Sequence, residues 1–122
     1  MGIRSYQELE VWRLAMDGVK RVYQLTGNFP RDERFGLCSQ LQRAAVSIPS
    51  NIAEGHARDS TKEFLYHISV AMGSLAEVET QVLLACEPGY TTQGDIGELL
   101  TILDRIGRML RGLKKSLKAK LL

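Results

Sequence analysis

The sequence predicts an all-α fold, an antiparallel up-down-up-down four-helix bundle, on three observations. Apolar residues recur at helical spacing through four long segments, no segment alternates with the period of two expected of a half-buried strand, and three turn-rich breaks separate the segments. The breaks read GNFPR at 27–31, GHARDS at 55–60 and EPGYTTQGD at 87–95. Connections of five to nine residues are too short to cross the length of a helix, so successive helices should run in opposite directions.

The first helix opens on the capping-box pattern Ser5-x-x-Glu8 and runs to Gly27, with Leu9, Trp12, Ala15, Met16, Val19, Val22 and Tyr23 as its inward stripe. The second covers 34–55 and contains Pro49. A proline removes one helical hydrogen bond and costs about 3 kcal/mol in a regular interior. Both the polar and the apolar rows keep their phase across it, which favours one kinked helix over two short ones, with Ser47 or a water satisfying the freed carbonyl of Ala45. The third helix opens on a second capping box, Ser60-x-x-Glu63, buries Phe64, Ile68, Ala71, Met72, Leu75, Val78 and Val82, and stops before Pro88. The fourth starts near Asp95 as N-cap and buries Leu99, Ile102, Leu103, Ile106, Met109, Leu110, Leu113 and Leu117.

At 122 residues the chain fits one domain, 1–122, that removes roughly two-thirds of its unfolded surface from water without metal or disulfide staples. Hydrophobic content of 44% and charged content of 25% place it among ordinary globular proteins rather than disordered or membrane ones. No apolar run reaches membrane-spanning length, and MGIRSYQELEVW lacks the apolar core of a secretory signal, so a cytoplasmic location is expected. Cys38 and Cys86 have no CxxC spacing and read as two buried free thiols, with no metal site.

The segment QRAAVSIPSNIAEG, 42–55, poses the main question. At about 100° per residue, Gln40, Arg43, Ser47, Asn51 and Glu54 form one polar stripe, and Leu37, Leu41, Ala44, Ala45, Ile48 and Ile52 a neighbouring apolar arc. A solvated face normally carries Lys and Glu and a core normally carries aliphatics; this stripe is neither. Buried polar groups need partners. Glu79 falls within the apolar arc of the third helix, so the expectation is an Arg43–Glu79 pair, with Gln40, Ser47, Asn51 and Glu54 completing a polar network inside the bundle or between subunits. Small residues on the remaining face, Ser39, Val46, Ser50 and Ala53 among them, suit a helix contacted on all sides in an oligomer.

The net charge of +2 conceals an asymmetry. Residues 1–103 hold 9 Lys/Arg against 13 Asp/Glu, whereas 104–122 hold 7 against 1. Arg108, Arg111, Lys114, Lys115 and Lys118 lie opposite the leucine stripe of the fourth helix over about a third of its circumference. Without aromatics among them, they suit phosphate contacts that ignore base sequence. The competing reading is an ordinary solvated face that complements the helix dipole. Membrane-surface binding by this helix ranks lower, because its apolar stripe is needed for the core. Catalysis finds little support: there is no GxxxxGK[ST], HExxH or GxSxG. The histidines lie apart, His56 in a turn and His67 read as a surface residue, and no paired Glu-x-x-His is present for a di-iron centre.

The stretch FPRDERFGLCSQLQRAAVSIPSNIAEGHARDSTKEF (29–64), preceded by LEVWRLA (9–15) and followed by GSLAEVETQ (73–81), resembles the four-helix-bundle family encoded within intervening sequences of bacterial 23S ribosomal RNA genes. The resemblance covers nearly the whole chain, and its SIPSNIAEG and GSLAEVE elements are specific. It implies an antiparallel bundle assembling as a ring-like homopentamer, with Ser47, Pro49, Asn51 and Glu54 central to the fold; the family has no established enzymatic activity, and no cofactor is expected. The chain is also similar, by architecture, to the accessory variability determinant proteins of diversity-generating retroelements, basic pentamers that bind nucleic acid and a reverse transcriptase. The expected function is therefore a non-catalytic oligomer binding RNA or DNA; the alternative is a protein-interaction scaffold.

Overall fold

The computed structural model describes residues 5–122. Among the described residues run four helices: α1 (Glu10–Thr26), α2 (Leu37–Ala57), α3 (Thr61–Leu84) and α4 (Gln93–Ala119). Two 3-10 turns, Tyr6–Glu8 and Arg31–Glu33, precede α1 and α2. Among the described residues there is no strand. Each helix packs on its neighbours in sequence, and α1 also packs on α4. One apolar cluster draws on all four, with Val22, Leu41, Ile52, Ile68, Val78, Leu103, Ile106 and Leu110 fully buried. Each such side chain contributes about 1.5–3 kcal/mol relative to exposure.

Helix starts follow side-chain chemistry, with two departures from expectation. Ser60 caps α3 as predicted, its Oγ accepting from the Glu63 amide at 3.2 Å. Ser5 instead caps the first 3-10 turn, accepting from Gln7 N at 3.1 Å, and α1 begins only at Glu10. At α4 the cap is Thr92, whose Oγ1 accepts from the Asp95 amide at 3.2 Å. Asp95 therefore sits in the first turn, where a carboxylate still meets the positive end of the helix dipole. No side chain of the N-cap residue Gly36 serves α2; Glu33 does so, its Oε1 accepting from Leu37 N at 3.0 Å.

The helix carrying Pro49 is continuous from Leu37 to Ala57, as the shared phase of its two rows implied, and Pro49 itself is buried. Ser47 Oγ does not turn back to Ala45; it bonds to Ser74 on α3 instead. The inward stripe of α1 is rotated from the predicted one. Val11, Ala15, Gly18, Val22 and Thr26 are buried, whereas Met16 is 45% and Tyr23 50% exposed. A helix wedged between α2 and α4 buries the arc facing both neighbours, and Gly18 closes on Ile106 of α4. Past α3, Gly89 adopts φ of +81°, a conformation open to glycine at little cost, within the turn that leads to Tyr90.

Candidate functional site

The polar stripe of α2 divides into three parts. Ser47 and Asn51 face α3. Asn51 Nδ2 donates to Ser47 O at 2.8 Å and to Ser47 Oγ at 3.0 Å, and Ser47 Oγ stands 2.8 Å from Ser74 Oγ. Because a carbonyl can only accept, this orients the Asn51 amide and leaves Oδ1 to accept from His67 Nδ1 at 3.0 Å. His67, expected at the surface, is thus half-buried and belongs to this network. Gly55 allows the approach: a Cβ there would stand 2.7 Å from His67 Cβ and 2.9 Å from Phe64 Cδ1.

Gln40 is exposed but reaches Gln81 of α3, whose Nε2 donates to Gln40 Oε1 at 3.5 Å and to Glu77 Oε2 at 3.3 Å. Gln81 is buried, and its Oε1 has no partner. Arg43 and Glu54 point outward. Glu54 pairs with Arg58 at 3.2 Å, which also reaches Glu63 at 3.7 Å and so ties the end of α2 to the start of α3.

The expected Arg43–Glu79 pair is not formed within the chain. Helix α3 turns His67, Ser74 and Gln81 toward α2, while Leu75 meets Gly107 of α4. Glu79, four residues after Leu75, shares the α4-facing side. Arg43 instead lines a groove with Tyr23, Ser39, Gln42, Val46 and Ser47.

The basic residues of α4 also fall into two groups. Arg105 pairs with Glu10 at 2.9 Å and Arg108 with Asp104 at 3.3 Å. Arg111, Lys114, Lys115 and Lys118 converge with Met72 of α3 on a groove of about 380 Å³, and no carboxylate among the described residues bridges any of them. Close packing builds this groove. Gly107 admits both Leu75 and Arg111, since a Cβ there would lie 3.2 Å from Leu75 Cδ2 and 3.3 Å from Arg111 Nη1. Four like charges beside one another raise the local positive potential.

At the opposite end of the molecule, Glu33 joins the start of α2 to the loop before α4. Hydrogen bonds from the Leu37 amide and the Tyr90 hydroxyl, the latter 2.7 Å from Oε2, hold its carboxyl below the usual carboxylate range. The same bond to Glu33, reinforced by burial, raises the Tyr90 phenol. Sequence reading missed this clasp because its partners lie 57 residues apart. Cys38 and Cys86 are free thiols; burial raises the Cys38 thiol, which donates weakly to Thr26 O. Among the described residues, no three His, Cys, Asp or Glu side chains stand close enough to hold a metal ion, and no helix is long and apolar enough to cross a membrane.

Four helices joined by polar seams, with a row of uncompensated cations on the last, define an all-helical protein whose distinctive chemistry lies on its surfaces. Residues 7–112 match the family described as 23S rRNA-intervening sequence protein, and the chain belongs to that family. The matched region contains SIPSNIAEG and GSLAEVE. No curated protein matches the chain.

Proposed function

We propose that the chain is a non-catalytic, self-associating helical bundle of the cytoplasm that holds RNA or DNA by its phosphates on the α3–α4 groove. The observation that carries the reading is the division of cations on α4. The two arginines nearest its middle are neutralised by carboxylates, whereas Arg111, Lys114, Lys115 and Lys118 share one groove without a counter-charge among the described residues. Leaving four such cations unpaired is the pattern expected where the counter-ion is supplied by a ligand.

The topology is up-down-up-down and antiparallel. Its support is the descending register of α2 against α3, where Gln40, Ser47 and Asn51 meet Gln81, Ser74 and His67. Copies assemble as a ring-like homopentamer, the arrangement the family resemblance implies. Ser50 and Ala53, toward the end of α2, leave little bulk there, which suits close approach by a second copy. Repetition of the α4 groove around a ring would multiply its charge.

The test is retention of RNA and DNA at two salt concentrations, with sedimentation of the same samples. Wild-type protein retains both polymers at low salt and loses them steeply as salt rises. Charge reversal at Arg108, Arg111 and Lys115 sharply weakens retention of both polymers while the protein stays folded. Unchanged retention in that variant, or none in the wild type, overturns the reading. A second reading, a scaffold for a protein partner, draws on the exposed Tyr66, Leu83 and Leu84 of α3. Capture of one defined protein after nuclease treatment, lost in Tyr66→Ser with Leu84→Ser, would favour it.

A further inference from the structure

A second cationic feature lies away from α4, along the seam of α1 and the start of α2. The run RDER at 31–34 is electrically neutral in sequence but not in space. Glu33 bonds to Tyr90, and Asp32 lies near enough to act on the same phenol. Arg31 and Arg34 turn the other way, into a trough of about 410 Å³ with Tyr23 and Gln42. The folded turn therefore sorts acids to one side and bases to the other. Tyr23 and Gln42 continue into the adjoining groove, where Arg43 supplies a third cation. None of these three arginines has a salt-bridge partner among the described residues.

Aromatic rings accompany the charge. Tyr23, half exposed, lines both grooves, whereas Phe35, 88% exposed, lies outside their lining and adjoins the trough through Arg34, whose guanidinium stands 5.4 Å from its ring centroid. A phenylalanine left almost wholly in water has a free face on which a planar group can stack. Gln42 donates Nε2 to Thr26 Oγ1 at 3.0 Å, so its amide is held in place while Oε1 remains available as an acceptor. Cations spread along a track, rather than gathered at one point, match successive phosphates of a chain better than a single phosphate group.

We infer that this trough holds single-stranded nucleic acid, with a base stacked on Tyr23 within it or on Phe35 beside Arg34, the neighbouring phosphates on Arg31, Arg34 and Arg43, and Gln42 Oε1 accepting from a base N–H. The inference rests on nucleic acid as the ligand class proposed above. It does not rest on the α4 groove, and it adds a contact that α4 lacks, the recognition of bases as distinct from phosphates.

The test uses the full chain and two fluorescent probes of equal length, oligothymidylate and its abasic counterpart, each of about 12 nucleotides, within the span one such site covers. Phe35→Ala is the diagnostic variant, since a side chain so exposed contributes little to folding. It weakens oligothymidylate binding about tenfold, the loss expected for one base stack, and leaves the abasic probe unchanged. Arg34→Glu weakens both probes. Equal effects of Phe35→Ala on the two probes, or no effect on either, overturn the inference. So does a fall in sedimentation coefficient caused by Phe35→Ala, which would place the ring in a contact between copies. Reversing Arg111 and Lys115 separates the two sites. If that variant still binds oligothymidylate in a Phe35-dependent way, the trough stands; if only α4 variants change oligothymidylate binding, the trough falls, and the α4 reading is judged separately by the salt-sensitive retention of long RNA and DNA.

Discussion

Gly55 and Tyr90 show how single residues set local geometry here. At Gly55, α2 passes so close to α3 that any Cβ would overlap His67 and Phe64. Gly55→Ala should therefore destabilise the protein by about 1–3 kcal/mol through overpacking, despite the better helix propensity of alanine. Gly97 of α4 is exposed with nothing within 4 Å of its Cβ position. Gly97→Ala should stabilise by about 0.5–1 kcal/mol, so thermal melts of the two variants move in opposite directions. The Glu33–Tyr90 clasp predicts a pH window. Glu33 is held below the carboxylate range, so its contribution is present above that range and is lost as pH falls through its folded pKa. Tyr90 is raised, so its contribution is present below the phenol range and is lost as pH rises through its folded pKa. Tyr90→Phe should lower the melting temperature most near neutral pH, with the difference from wild type closing at both acid and alkaline ends.

At the scale of the element, α2 is a helix whose faces do different work. Its apolar arc was legible from spacing alone, and Leu41, Ala44, Ala45, Ile48 and Ile52 are all buried. Its polar stripe was legible as unusual, but the pairing was not. Ser47 and Asn51 bond across to Ser74 and His67, while Arg43 is turned away from α3 into the groove it shares with Tyr23 of α1. Pro49 offers a test of what the element tolerates. Pro49→Ala restores a hydrogen bond to Ala45 and removes a clash, a gain of about 3 kcal/mol, against about 1.5–2 kcal/mol for the buried ring methylenes lost. A net stabilisation of about 1 kcal/mol is expected in chemical denaturation. A destabilised variant would show that the proline ring packs better than its area suggests.

Across the whole molecule, charge is distributed by seam. The α1–α4 side carries Arg21–Glu98 at 2.9 Å and Arg105–Glu10 at 2.9 Å, whereas α2 meets α3 mainly through neutral hydrogen bonds. Exposed pairs of the first kind add little to stability, about 0.2–1 kcal/mol each, but Arg105–Glu10, together with Arg108–Asp104, neutralises two of the six cations of α4 and leaves Arg111, Lys114, Lys115 and Lys118 without a counter-charge among the described residues. This predicts an order of effects on polyanion binding. Arg108→Ala, which removes a cation already paired with Asp104, should weaken low-salt RNA retention less than Arg111→Ala. Equal losses at both positions would mean that the Asp104 pair opens on binding.

The sequence by itself determined four helices, their breaks, most of their buried faces, the caps at Ser60 and the continuity of α2 through Pro49, because these depend on period and on groups a few residues apart. It also marked the five basic residues of α4, since their clustering is local. Only the tertiary structure decided which polar side chains meet. The rotation of α1 between two neighbours, the displacement of Glu79 toward α4, the seating of His67 against Asn51 and the separation of Arg31 and Arg34 from Asp32 and Glu33 all follow from how helices turn against one another. A rotation of a few tens of degrees leaves the apolar pattern almost as well buried, yet it exchanges every polar partner.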